Sequence, residues 1–124
     1  MAVLADPRAH ARAVYDDVDR SDAVAFASHI TPDGSMTFGN ADPMVGRDAI
    51  TEGIAQFFML IDGLSHEIVE CWAVDRHVIC DLMVTYRRKD GRSVTVPAVT
   101  IWEMDGDLVR DYRVYIDQTP VFAR

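Results

Sequence analysis

HEIVECWAVDRHVICDLMVTYRRKDGRSVTVPAVTIWEMDGDLVRDYRVYI, residues 66–116, is the stretch that decides the fold. Val, Ile, Thr, Tyr and Trp, which suit a pleated and half-buried surface, crowd it. It breaks at Val74-Asp75-Arg76, at Lys89-Asp90-Gly91 and at Asp105-Gly106-Asp107. Asp-Gly pairs supply the positive φ that tight hairpins demand. The expectation is four long strands, 66–74, 77–87, 93–104 and 108–116, running as an antiparallel meander.

Outward from that stretch, toward the N-terminus, the pattern becomes helical. Asp6-Pro7 reads as a helix start, since Asp caps free amides and Pro suits the first helical position. Ala11, Val14, Tyr15 and Val18 then fall on one helical face. Ser21 or Asp22 caps a second short helix carrying Val24, Ala25 and Ile30. Thr31-Pro32-Asp33-Gly34 is a turn by composition, and Ser35 to Phe38 a short extended segment. After the irregular run Gly39-Asn40-Ala41-Asp42-Pro43, a third helix begins near Gly46-Arg47-Asp48. Its apolar stripe is Ile50, Ile54, Phe57, Phe58 and Ile61, and Asp62-Gly63 stops it. Helices first and strands after argue for an α+β fold, with helices against one face of a curled sheet. No repeat or linker divides the 124 residues, so 1–124 is expected to be a single domain.

Hydrophobic residues make up 49% of the chain and charged residues 26%, the balance of a soluble globular protein. The apolar run from Ile54 to Ile61 is interrupted by Gln56 and is far too short to span a membrane. Met1-Ala2-Val3-Leu4-Ala5-Asp6-Pro7 lacks the basic flank and apolar core of a signal peptide, so a cytoplasmic location is expected. The net charge of −8 repels phosphate backbones and anionic lipid, which argues against nucleic acid and membrane as partners. Cys71 and Cys80 form no CxxC motif, and His10, His29, His66 and His77 are scattered. That argues against a metal site and leaves the cysteines as a reduced, half-buried strand pair. Phosphate-binding motifs are missing too, so no cofactor is expected.

Val45-Gly46-Arg47-Asp48-Ala49-Ile50 and Tyr112-Arg113-Val114-Tyr115-Ile116-Asp117, with this order of elements, resemble the nuclear-transport-factor-two-like superfamily. That superfamily includes SnoaL-like polyketide cyclases, ketosteroid isomerases and limonene-epoxide hydrolases. The resemblance implies a cone-shaped, cystatin-like curved antiparallel sheet packed with three N-terminal helices. It also implies an apolar cavity on the concave face and a homodimer. Counting back from Asp117, the last strands run beside limonene-epoxide hydrolase without a gap. The asparagine of that family matches Asn40, while its tyrosine falls on Phe38. The water-activating aspartate falls on Val114, the proton-donating one on Met83 and its arginine on Asp81. Valine and methionine exchange no protons, so epoxide hydrolysis is not expected.

The threading sets which strand residues face inward, because alternate residues share a face. Asp81, Met83 and Thr85 are expected to face the cavity on one strand. Val96 and Ala98, with Thr100 and Trp102, should do so on the next, and Tyr112, Val114 and Ile116 on the last. With Phe38 they give an apolar lining with a few polar groups, suited to a small organic ligand. Asp81 is the sharpest catalytic candidate, since a carboxylate in an apolar strand loses solvation and is suited to proton transfer; a structural ion pair is its plain alternative. Asn40, Tyr15 and His66 are the candidates for holding or protonating a substrate oxygen. Their alternatives are a loop residue bonded to its own backbone, a core tyrosine and a strand-start histidine. Trp72 reads as core or pocket wall, and Asp117 as a strand end.

The function these readings converge on is a pocket for a small apolar organic molecule. One form is a cofactor-independent isomerase or cyclase working by proton transfer. Another is a non-catalytic ligand-binding protein, and a third an association module that uses only the outer sheet face.

Overall fold

The computed structural model describes residues 6–124, so the reading of Met1 to Ala5 lies outside the described residues. Helix α1 (Pro7–Asp19) starts at its sequence cap: Asp6 accepts from the Ala9 amide at 3.0 Å, and Pro7 takes the first position, which needs no N–H. Asp22, not Ser21, caps α2 (Ala23–Ala27), accepting from the Ala25 amide at 3.0 Å. Ile30 lies beyond that helix and opens β1 (Ile30–Phe38). The short strand β2 (Met44–Val45) precedes α3 (Arg47–Phe58). Then come β3 (Gly63–Val74), β4 (His77–Arg87), β5 (Ser93–Asp105), β6 (Leu108–Ile116) and a single-turn helix, α4 (Thr119–Phe122).

The strands form one six-stranded sheet in the order β2-β1-β6-β5-β4-β3. Strands β3 to β6 are the antiparallel meander read from the hairpin signals. Strand β1 lies parallel to β6, pairing Met36 with Tyr112 and Phe38 with Val114. The Thr31–Gly34 run, expected as a turn, is an irregularity inside β1, where the register shifts between Ile30 and Ser35. Pro32 has no N–H to give the ladder. Gly34 passes so close to its neighbours that a Cβ would sit 2.6 Å from Ile30 Cγ2 and 3.0 Å from the Arg110 carbonyl.

The Val45–Ile50 motif is a structural joint. Gly46, at φ 94, turns the chain into α3, accepts from the Ile50 amide at 3.1 Å and donates to the Gly34 carbonyl at 2.7 Å. Arg47 Nε donates to the Ile30 carbonyl at 3.0 Å and ties α3 to β1. On the far edge, Arg8 and Arg12 of α1 donate to the Ile68 and His66 carbonyls of β3 at 2.6 and 2.8 Å. Occupied carbonyls blunt an edge strand against further pairing.

The helices cover one face of the sheet, and the core lies between. Val78, Cys80, Leu82, Val84 and Tyr86 point into it from β4, and Val96, Ala98, Thr100, Trp102 and Met104 from β5. This corrects the expected parity of β4. Asp81, Met83 and Thr85 pair with Val99, Pro97 and Thr95 and lie on the outer face. Ala98 faces inward and stands opposite Leu82, so Leu82 faces inward and its neighbours cannot. In β3 a register shift between Ile68 and Glu70 changes which residues point in. His66 and Ile68 share the inner face with Val84 and Leu82 before it, and Cys71 shares that face with Cys80 after it.

Candidate functional site

Between the inner sheet face and the helices lies a cavity of about 40 Å³. One water needs at least ~10–15 Å³ on this scale, and pockets for drug-sized ligands run to about 300–1,000 Å³. The walls come from nearly every element. Strand β1 gives Met36 and Phe38, β4 gives Leu82, Val84 and Tyr86, and β6 gives Tyr112, Val114 and Ile116. Val18 and Phe26 close it from α1 and α2, and Phe57 and Phe58 from the last turn of α3. Phe57 packs in an aromatic cluster at the wall. Its ring centroid lies 5.9 Å from Phe38, 6.2 Å from Tyr86 and 6.5 Å from Phe122, the spacing of packed aromatic pairs.

The lining has few polar groups. His66 and Leu64 enter from β3, and Ala98 and Thr100 from β5. The Tyr15 hydroxyl, behind the wall, is hydrogen-bonded to Thr100 Oγ1. Burial pushes the Tyr15 phenol well above its ordinary range, nearby Tyr112 and Cys80 add to the shift, and the Thr100 bond opposes it. Burial likewise raises Tyr112 and Tyr86; Gln118 Nε2, which donates to the Tyr86 hydroxyl at 3.0 Å, partly offsets the latter. These phenols therefore stay protonated at neutral pH and remain able to donate.

His66 is held from several sides. Its Nδ1 lies 2.6 Å from Asp19 Oδ1, and its backbone amide donates to Asp19 Oδ2 at 3.0 Å. Arg12 donates to the same Oδ2 at 3.1 Å. The imidazole stacks on the Tyr15 ring with centroids 4.7 Å apart and planes 14° from parallel. Nδ1 faces the carboxylate, and Nε2 has no hydrogen-bond partner among the described residues. His66 also borders the open groove between α1 and β3 that Arg8, Arg12 and Glu67 line. One histidine thus stands between solvent and cavity.

The structure brings His66, Tyr15, Phe38, Ala98, Tyr112, Val114 and Ile116 together at or just behind the cavity wall. Others it separates. Asp81, the expected acid, stands on the outer face between Glu70 and Val99, away from the cavity. Met83 and Thr85 share that face, where Thr85 Oγ1 bonds Thr95 Oγ1 at 2.8 Å in solvent. Asn40 is exposed in the turn after β1. Val96 faces inward without lining the cavity. Trp102 is fully buried behind it, 5.1 Å from Tyr112 and 5.6 Å from Tyr15, so its place is the core and not the wall. Trp72 is exposed on the outer face. Asp117 accepts from the Thr119 amide at 2.9 Å, and its hydrogen bonds to Thr119 hold its carboxyl below the usual range.

Asp19, Phe58 as cavity wall, and the inward set Leu82, Val84 and Tyr86 were not anticipated from the residues. The β4 set was recoverable from hairpin arithmetic around Lys89-Asp90-Gly91, because Arg87 pairs with Ser93. Asp19 had a weaker sign. Asp16, Asp17 and Asp19 crowd the C-terminal turn of α1, where the helix dipole disfavours negative charge, so such acids need partners elsewhere. Among the described residues, no three His, Cys, Asp or Glu side chains gather closely enough to ligate a metal. Nor is any described helix long and apolar enough to cross a membrane.

A family profile described as a SnoaL-like domain matches residues 11–112. No curated protein matches the chain. Among solved structures, a Catenulispora acidiphila protein with a ketosteroid isomerase-like fold, in complex with trimethylamine, superposes with a TM-score of 0.85 at 17% identity, covering 92% of this chain and 89% of that one. TerC, co-crystallised with polyporic acid, gives 0.81 at 16% identity over 94% and 95% of the two chains. An LEH-like epoxide hydrolase from M. tuberculosis gives 0.77 at 13% identity over 94% and 86%. At these identities the likeness is one of fold.

Proposed function

Because the chain belongs to the SnoaL-like domain family, we propose that its cavity takes a small, largely apolar organic molecule on which His66 moves a proton. The activity is then of the cofactor-independent isomerase or cyclase kind. The observation that carries this reading is the His66–Asp19 pair at the edge of an apolar cavity. Asp19 fixes the ring through Nδ1 and stabilises the imidazolium that forms when Nε2 takes a substrate proton. The Tyr112 side chain lines the same cavity, and burial keeps its phenol protonated. Binding requires Phe57 and Phe58 to swing aside, because about 40 Å³ is too little for any such substrate. Solved relatives of the same fold hold trimethylamine and polyporic acid, which supports an organic ligand here.

The second reading is binding without chemistry. It is favoured by the apolar side chains that face the cavity, among them Leu82, Val84 and Val114, the last at the position of the limonene-epoxide hydrolase family's water-activating aspartate. In either reading the chain acts as a single cytoplasmic domain. It pairs with a second copy through the outer sheet face, where Trp72 and Tyr115 are exposed at 48% and 49%.

Native mass spectrometry and a thermal-shift screen against terpenoid, steroid and polyketide-like compounds test the proposal. A compound that stays bound or raises the melting temperature identifies the ligand class. His66→Gln should then abolish turnover while keeping the shift. Unchanged turnover in that variant overturns His66 as proton carrier, and binding without turnover in the wild type leaves the second reading. A panel with no effect sinks the pocket itself.

A further inference from the structure

The chain has two cysteines, and the fold sets them face to face. Cys71 on β3 is the direct cross-strand partner of Cys80 on β4, with the sulfurs 3.1 Å apart. Nine residues separate them in sequence, and the β3 irregularity is what brings them together. With the register that holds up to Ile68, Cys71 would fall on the face opposite Cys80. The one-residue shift between Ile68 and Glu70 turns it to the inner face. Both thiols then lie on the helix-covered side, close enough to α1 for Arg8 and Asp6 to act on Cys71 electrostatically. A sulfur on a second copy of the chain cannot reach the fully buried Cys80.

We propose that Cys71 and Cys80 form a reversible intramolecular disulfide, a clasp between edge strand β3 and β4 that closes on exposure to a hydroperoxide. The half-buried Cys71 is the thiol an oxidant reaches. Its thiolate attacks the peroxide oxygen and becomes a sulfenic acid, releasing one water from hydrogen peroxide. The Cys80 thiolate then attacks the Cys71 sulfur, the S–S bond forms, and the hydroxyl leaves as a second water. Two thiols are oxidised and one peroxide is reduced, so no further reagent is required. A dithiol such as dithiothreitol reverses the step by exchange.

Burial pushes the Cys80 thiol up to about 12, and the neighbouring Cys71 adds to the shift. Burial also raises Cys71; Cys80 and Arg8 oppose that shift, and Asp6 adds to it. The thiolate is the reacting form, so closure is slow at neutral pH and quickens as pH rises. The other cross-strand neighbour of Cys80 is Thr100, which carries the Tyr15 hydroxyl at the cavity wall. The clasp therefore sits beside the cavity without belonging to it, and its test is independent of any ligand.

The folded protein is treated with hydrogen peroxide at pH 7 and pH 9, denatured, alkylated without reduction and weighed intact. The expected result is a monomer lighter by about 2 Da, two hydrogens, with neither thiol alkylated and dithiothreitol restoring both. The oxidised protein should keep its far-ultraviolet circular dichroism and melt no lower than the reduced one. Cys71→Ser, a small change at the less buried position, should leave a single thiol that resists oxidation and gives no 2 Da loss. The proposal is overturned if both wild-type thiols are still alkylated or if oxygen atoms add to each. A disulfide-linked dimer, or a bond that forms only as the protein unfolds, overturns it equally.

Discussion

Truncating Leu82 and Asp81, adjacent residues on β4, tests the face assignment on which the site rests. Leu82 is 1% exposed and lines the cavity, whereas Asp81 lies on the outer face. Leu82→Ala removes buried methyl groups, and the space left merges with the existing void of about 40 Å³. The lining is largely apolar, so the expected cost sits within the Leu→Ala range, about 3 kcal/mol. Unfolding entropy of ~2.1 cal/mol/K per residue gives about 0.26 kcal/mol/K for the 124 residues, hence a melting temperature lower by about 12 °C. Asp81→Ala removes a side chain with no ion pair among the described residues and should change stability by no more than about 0.5 kcal/mol, roughly 2 °C. Urea and thermal unfolding of both variants at one protein concentration, with m-values compared, provide the measurement. A large loss for Asp81→Ala beside a small one for Leu82→Ala would refute the parity and return Asp81 to the cavity.

Gly34→Ala forces a Cβ to within 2.6 Å of Ile30 Cγ2 and 3.0 Å of the Arg110 carbonyl, so β1 must shift. A loss of about 1–3 kcal/mol in urea unfolding is expected, and a variant as stable as the wild type contradicts the close approach. Burial lowers His10 from the ordinary 6.5, His29 adding to the shift and Asp107 opposing it. The unfolded chain therefore takes up this proton first as pH falls. Stability is fully present above that ordinary value and declines as pH drops from it toward the folded value. His10→Gln should flatten this part of the melting profile relative to wild type, and parallel profiles would show that His10 contributes nothing to it. Asp90, held down to about 2 by hydrogen bonds from Arg92, together with Glu103 and Asp117, acts only at lower pH, which keeps the windows apart.

What the chain declares locally, it declared well. The bounds of β4 and β6 follow from β-branched runs closed by turn residues, and α1 begins at its Asp-Pro signal. Each rests on interactions within a few residues, so the relevant free energies leave a local trace. The α+β class follows from the order of those elements, and the resemblance carried by Val45–Ile50 and Tyr112–Asp117 pointed to the family that the profile match establishes. What surrounds the cavity was only partly legible, because period-2 alternation says which residues share a face but not which face is covered. One residue of error in a hairpin therefore exchanged Asp81, Met83 and Thr85 for Leu82, Val84 and Tyr86. The parallel pairing of β1 with β6 and the bond from Asp19 to His66 across 47 residues needed the tertiary structure. Contacts made by docking a helix end on a distant strand have no periodicity to announce them. The same holds for Cys71 and Cys80: their spacing was open to view, but a one-residue shift in β3, invisible in composition, set the two sulfurs on one face.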